Sequence, residues 1–225
     1  LVLTLPLLRH YKQTHYSPKR QHAVRDAFGT LYRTFREMKS QKHIFLFLLS
    51  FFFFIDGVYT VIDMATAFGS ALGFDSTMLL LSLLLTQIVA FPFALLFGKV
   101  AKKYRNDVLI KVCIVAYTAI ALFAIQLDQA WEFWLLAGCV GMFQGGIQAL
   151  SRSYFAKIIP PEKAGEYFGL FDICGKGASF MGTALVGLST QLTGSTNWGV
   201  SVLAVIFLIG LVLFHFAAKQ SSARK

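Results

Sequence analysis

The chain has 225 residues, of which 56% are hydrophobic and only 14% charged, with a formal net charge of +10. A soluble domain carries about a quarter of its residues as charges, and the apolar runs at 44–55, 78–97 and 200–216 leave no polar face for water. A water-soluble globular fold is thereby excluded, and the basic excess reads as membrane topology rather than as a nucleic-acid surface.

In chain order, residues 1–8 are apolar but too short to span a bilayer. They read as the end of a transmembrane helix cut upstream, which implies a missing N-terminal half. Residues 9–42 form a polar, basic linker. Within it, 22–41 carry Phe28, Leu31, Tyr32 and Phe35 at helical spacing, the pattern of an amphipathic helix lying on a surface; a plain charged linker fits the same composition. Six transmembrane helices follow, predicted at 43–68, 76–98, 108–127, 131–157, 164–191 and 197–217. Each approaches or exceeds the roughly 20 residues that cross about 30 Å of hydrocarbon. Residues 218–225 are a short tail. The expected fold class is an all-α membrane protein.

The basic residues test this division. Nine Lys/Arg fall in 9–42 and five in 99–111, with Arg152, Lys157 and Lys163 around the turn at 157–163 and three more at the C-terminus; the loops near 69–75, 128–130 and 192–196 hold none. That one-sided distribution predicts both ends on the cytoplasmic side. Cys113, Cys139 and Cys174 lie in apolar runs without a CxxC or Cys/His cluster, so neither a disulfide framework, a metal nor a cofactor is expected. No HExxH or Ser/His/Asp set suggests an enzyme.

An ionisable group in hydrocarbon costs several kcal/mol, which makes embedded polar residues the functional candidates. The first span carries Asp56 and Asp63, two turns apart on one face. The second carries Gln87. The fourth has Gln144, Gln148 and Ser151 on one stripe, and the fifth has Asp172 and Lys176 one turn apart. Asp56, Gln87, Gln144 and Lys176 each lie about 11–13 residues from the basic edge, near the midplane. The third and sixth spans are nearly featureless. Four helices around a polar cavity, with two peripheral helices against lipid, are therefore expected. Alternatives stand beside these readings. The amides and Ser151 also serve as interhelical glue, and Asp172 also serves to neutralise Lys176 within its own helix. For Asp56, desolvation favours the protonated form and a nearby lysine the charged one, the basis of a carboxylate proton switch. Arg152 either gates by pairing with Glu162 or Glu166 across the turn or snorkels to the surface. Gly141/Gly145 and Gly165/Gly169 are small-xxx-small pairs expected to let helices approach. Pro92 is expected to kink the second span, and Pro160-Pro161 to separate the fourth from the fifth.

Six spans with both ends inside, preceded by a basic segment, resemble the C-terminal half of a major facilitator superfamily transporter, a six-helix unit of two inverted three-helix repeats. The loop Gly98-Lys99-Val100-Ala101-Lys102-Lys103-Tyr104-Arg105 is similar to that superfamily's G-x-x-x-D-R/K-x-G signature. It departs at Lys102 and Arg105, so the acid's charge-relay role is not carried over. Asp56-Gly57, the block Gln144-Gly145-Gly146 through Ser151-Arg152-Ser153, and Ile159-Pro160-Pro161 with Glu166-Tyr167-Phe168-Gly169 and Gly175-Lys176 are similar to bacterial permeases related to the fungal vacuolar amino-acid effluxer. Asp172 departs from the neutral polar residue usual there. The resemblance covers about 40–217. It implies a secondary carrier of the bacterial inner membrane working by alternating access, with amino acids as substrate class and proton coupling as an option. Its partners would be the bilayer, a small solute and the N-terminal half, with Asp56, Lys176, Gln144, Gln87, Asp172 and Gln148 as binding candidates. The alternative is a non-transporting scaffold or the inert fragment of a broken carrier gene.

Overall fold

The computed structural model describes residues 23–222, with side chains described over 29–221; the predicted cut helix at 1–8 and the end of the tail lie outside the described residues. Seven helices follow one another: α1 Ala23–Ser40, α2 Lys42–Ala71, α3 Ser76–Lys103, α4 Asn106–Ala124, α5 Ala130–Ile158, α6 Ala164–Thr193 and α7 Thr196–Ser222. No strand occurs among the described residues. Each predicted span falls on one of the helices α2 to α7, the third running three residues past the end of α4 at Ala124. The stops between them are local chemistry. The Asp75 carboxylate accepts from the Thr77 N–H at 2.9 Å and caps α3; hydrogen bonds from Thr77 hold Asp75 below the usual carboxylate range. Gln129 and Glu132 form a capping box at the start of α5. Pro160 precedes a 3₁₀ turn at Pro161–Lys163, and Gly194 ends α6 with φ 68°, a conformation that favours glycine. Pro92 lies inside α3, which continues beyond it to Lys103.

Five of these helices, α2, α3, α4, α5 and α7, are long and apolar enough to cross a membrane by length and composition alone. The exception is α6. Its 30 residues equal the length of α2, but it carries Glu166, Asp172, Lys176 and several glycines, which dilute its hydropathy. It is nonetheless an integral part of the bundle, packed against both α2 and α7.

The packing has a repeat. α2 packs on α6 and α7, α5 packs on α3 and α4, and α4 meets α7. Exchanging the first three long helices with the last three carries these contacts into one another, as inverted three-helix repeats require, although the α6–α7 contact has no counterpart of like extent between α3 and α4. The chain is thus an all-α, multi-pass membrane protein with the architecture of the six-helix half of the major facilitator fold. The third and sixth spans are not outliers in this arrangement: α4 and α7 join the two groups through one face. Their other faces expose apolar stripes, Val108, Val112 and Val115 on α4, and Val205, Leu208 and Val212 on α7.

Close approach is built from glycine, because apolar burial gives helices little reason to associate within lipid and packing must do so. On α2 and α7 the fit is reciprocal. A Cβ on Gly57 would stand 2.7 Å from the Phe207 ring, and one on Gly210 3.0 Å from Phe54, while the Ser50 hydroxyl donates to the Gly210 carbonyl at 2.8 Å. On α5, Gly141 lies against the Thr86 carbonyl and Gly145 against Ala94 of α3, as the small-residue pattern suggests. Gly165 and Gly169 do not act this way: a Cβ on Gly165 would meet nothing within 4 Å, and one on Gly169 only Leu31, at 3.7 Å. Buried aromatics complete the core, with Phe51 stacked on Phe171 at 4.0 Å and Phe47 on Phe155 at 5.6 Å.

At the basic end α1 is a helix, docked on α2 and α6. Thr34 donates to Glu166 at 2.7 Å, Lys163 donates to Glu37 at 2.5 Å, and the Gln41 amide donates to the Tyr167 hydroxyl at 3.3 Å. The buried face is Thr34 and Met38, with Leu31 packed beside them. Of the apolar residues at helical spacing, Tyr32 and Phe35 point out, 72% and 43% exposed; the helix turns a hydrogen-bonding edge inward because its seat, the start of α6, is polar.

Candidate functional site

The polar candidates do not converge on one cavity; they separate into three places. The first is a cleft of about 170 Å³ between α2, α5 and α6, lined by Tyr59, Gln148, Arg152, Asp172 and Lys176 over a floor that includes Phe51 and Phe171. The Arg152 guanidinium donates to Asp172 Oδ1 at 2.5 Å and lies 5.6 Å from the centroids of both Phe168 and Phe171. Both charged side chains are about half exposed where the cleft opens, at 58% and 48%.

This pairing differs from both readings taken from the sequence. Arg152 does not pair with Glu162 or Glu166 across the turn. Glu166 accepts from Thr34, and Glu162 is exposed on the 3₁₀ turn and in no ion pair among the described residues. Asp172 does not neutralise Lys176 one turn along its own helix. The reason is that the guanidinium reaches Asp172 from α5 and is held there by two rings. Lys176 is left exposed in the cleft and in no ion pair among the described residues. Lys176 and Asp172 therefore share a site but not a bond.

The second place is behind the cleft wall. Asp56 is fully buried, and its Oδ1 accepts from the Gly182 N–H of α6 at 2.8 Å. Its Oδ2 and the neighbouring Thr60 hydroxyl have no hydrogen-bond partner. Any side chain at residue 182 would run into both, since a Cβ there would lie 2.8 Å from the carboxylate oxygens. Asp63, two turns on, is exposed, so the two carboxylates predicted to share a face occupy opposite environments.

The third place is a cavity of about 400 Å³ that touches all six long helices and is overwhelmingly apolar, with Gln87, Thr86 and Thr60 among its few polar groups. Gln87 is exposed there, whereas Gln144 is half-buried with its Oε1 unpartnered. The four residues expected at one depth thus do not share a space, because each helix turns its own polar residue in a different direction. Among the described residues, no group of three or more His, Cys, Asp or Glu is placed to hold a metal ion, and the three cysteines are free thiols.

Tyr59, Phe168 and Thr60 belong to these sites and were not singled out by sequence. Tyr59 and Thr60 follow Asp56 by three and four residues, the spacing at which side chains neighbour one another on a helix. That signal is real but too common to select them unaided.

Comparison with known proteins agrees with the fold. A family model described as "Vacuole effluxer Atg22 like" matches residues 1–225. The chain is 42% identical over 221 residues to the "Uncharacterized MFS-type transporter YxiO" of Bacillus subtilis, covering 98% of this chain and 52% of that protein. It is 30% identical over 198 residues to "Autophagy-related protein 22" of Saccharomyces cerevisiae, covering 83% of this chain and 38% of that protein. It is 27% identical over 208 residues to "Autophagy-related protein 22-2" of Aspergillus niger, covering 85% and 35%. The chain spans about half the length of these curated relatives or less. Built on this fold and matched over its whole length, the chain belongs to the vacuole effluxer Atg22-like family.

Proposed function

We propose that this chain forms the C-terminal half of a secondary carrier, in which a solute binds the cleft between α2, α5 and α6 and a six-helix N-terminal half forms the opposite wall. The observation that supports the reading is the cleft itself: Arg152, Asp172, Lys176 and Gln148 gathered on an otherwise apolar bundle. Polar groups placed so deep are costly, and a solute pathway is the usual reason for them. Alternating access would rock the two halves about this site, with both ends of the bundle's basic side facing the cytoplasm of a bacterial inner membrane.

The chemistry favours a carboxylate-bearing solute such as an amino acid. Lys176 is the uncompensated cation and binds the carboxylate. The Arg152–Asp172 pair opens to admit it. Tyr59 and Gln148 supply neutral donors and acceptors. Asp56 takes the coupling proton, since one of its oxygens is buried without a partner and Gly182 joins it to the helix that carries Lys176.

The test is reconstitution of the full-length protein in liposomes, with amino-acid flux followed with and without a pH gradient. Flux that the gradient drives is expected, and Asp56→Asn should abolish the coupled component. Absence of flux for every amino acid would remove the substrate assignment, and unchanged coupling in Asp56→Asn would remove the proton site.

A further inference from the structure

Helix α1 has a second face that neither its docking on α6 nor the transport site uses. From Gly29 onward, the inward side is Leu31, Thr34, Glu37 and Met38, satisfied by contacts to α6 and the 3₁₀ turn. The outward side carries Tyr32, Phe35, Arg36 and Lys39 on one stripe, with Arg33 flanking it. All five are exposed, the aromatics at 72% and 43%. Glu37, the acid on this stretch, is turned inward to Lys163 and also feels Arg33 one turn away, whereas Arg36 and Lys39 on the outward stripe are in no ion pair among the described residues. Its location is set by connectivity: one residue after α1 ends, α2 begins at Lys42 and runs into the bilayer. The far end of α3 repeats the composition, with exposed Lys99, Lys102 and Lys103 and a Tyr104 ring 5.7 Å from the Lys103 ammonium.

We propose that the outward face of α1 is a docking surface for anionic phospholipid headgroups. Basic residues interleaved with aromatic rings, on a helix held at the membrane boundary, are what an anionic interface binds. Because the opposite face of the same helix holds the start of α6 through Thr34 and Glu37, lipid binding also steadies the helix that carries Asp172 and Lys176.

The test places the full-length protein in nanodiscs of phosphatidylcholine with or without phosphatidylglycerol and follows amide hydrogen exchange of the segment 29–40. Each cation is worth about fivefold in attraction to an anionic surface, so phosphatidylglycerol should slow exchange by up to roughly a hundredfold. Arg33→Glu/Arg36→Glu/Lys39→Glu should lose that dependence, with exchange in α7 unchanged as the check on folding. Glu37→Gln should speed exchange in both lipids yet keep the dependence. Equal exchange of the wild-type segment in both lipids overturns the proposal: equally fast exchange means an unoccupied face, and equally slow exchange a face covered by protein. The wild-type comparison decides the matter even if the triple variant fails to fold.

Discussion

Lys176 and Asp172 are four residues apart on one helix, yet their chemistry is decided by α5, which brings Arg152 to the acid and leaves the lysine unopposed. Losing a charged hydrogen bond to substrate costs about 1.5–3 kcal/mol, so Lys176→Met is expected to raise the KM for a carboxylate solute by about ten- to a hundredfold. Uptake kinetics of the reconstituted full-length protein check this, and an unchanged KM would remove Lys176 from the site. A second expectation concerns glycine. Gly182→Ala would drive a methyl group against Asp56 and Thr60, and overpacking of this kind costs about 1–3 kcal/mol. Gly187→Ala meets nothing within 4 Å and should stabilise α6 by about 0.5–1 kcal/mol through backbone entropy. Thermal unfolding in detergent should move in opposite directions for the two variants. Both glycines are plain in the sequence, but only their neighbours reveal which one is essential.

The docking of α1 belongs to the scale of elements. The hydrogen bond from Lys163 holds Glu37 below the usual carboxylate range, and the same bond holds Lys163 above the usual lysine range. The carboxylate's contribution is present above its unfolded pKa and is lost as pH falls through the lowered folded value. The lysine's is present below its unfolded pKa and is lost as pH rises through its raised one. Docking should therefore hold across neutral pH and loosen only at the two extremes. Lys163→Gln should remove the acid-side dependence that this pair creates, as read by hydrogen exchange of 29–40 against pH. Elements also differ in how legible they are. The break after α5 falls at Pro160, as the sequence leads one to expect, while the starts of α3 and α5 are set by the caps at Asp75 and Gln129–Glu132. The inward face of α1 is not legible in this way, because Thr34 and Met38 are buried by a seat on α6 that lies more than a hundred residues away in the chain.

At the scale of the whole molecule, the exposed surface of α3 is informative. Leu80, Leu84, Ile88, Phe91 and Leu95 are each more than half exposed, leaving a long apolar face available to lipid or to another set of helices. If an N-terminal half completes the carrier, the two halves produced as separate chains should co-purify and restore flux that neither shows alone; failure to associate would count against a half-carrier. The approximate exchange symmetry of the helix contacts, broken at α6–α7, supports the same architecture independently of any single residue.

What the sequence by itself determined is the transmembrane character of the chain, the places where its helices lie, and which residues are polar at mid-depth. These depend on hydropathy, helix periodicity and caps, which act over a few turns. Only the tertiary structure decided that the polar residues part into a charged cleft, a buried Asp56–Thr60–Gly182 contact and an apolar cavity. It also decided that Arg152 takes Asp172 rather than an acid of the adjoining turn. The physical reason is that depth along a helix is counted in residues, whereas the direction a side chain faces is settled by how neighbouring helices rotate to bring glycine against aromatic rings. That rotation is a property of pairs of helices, and it is not written in either one alone.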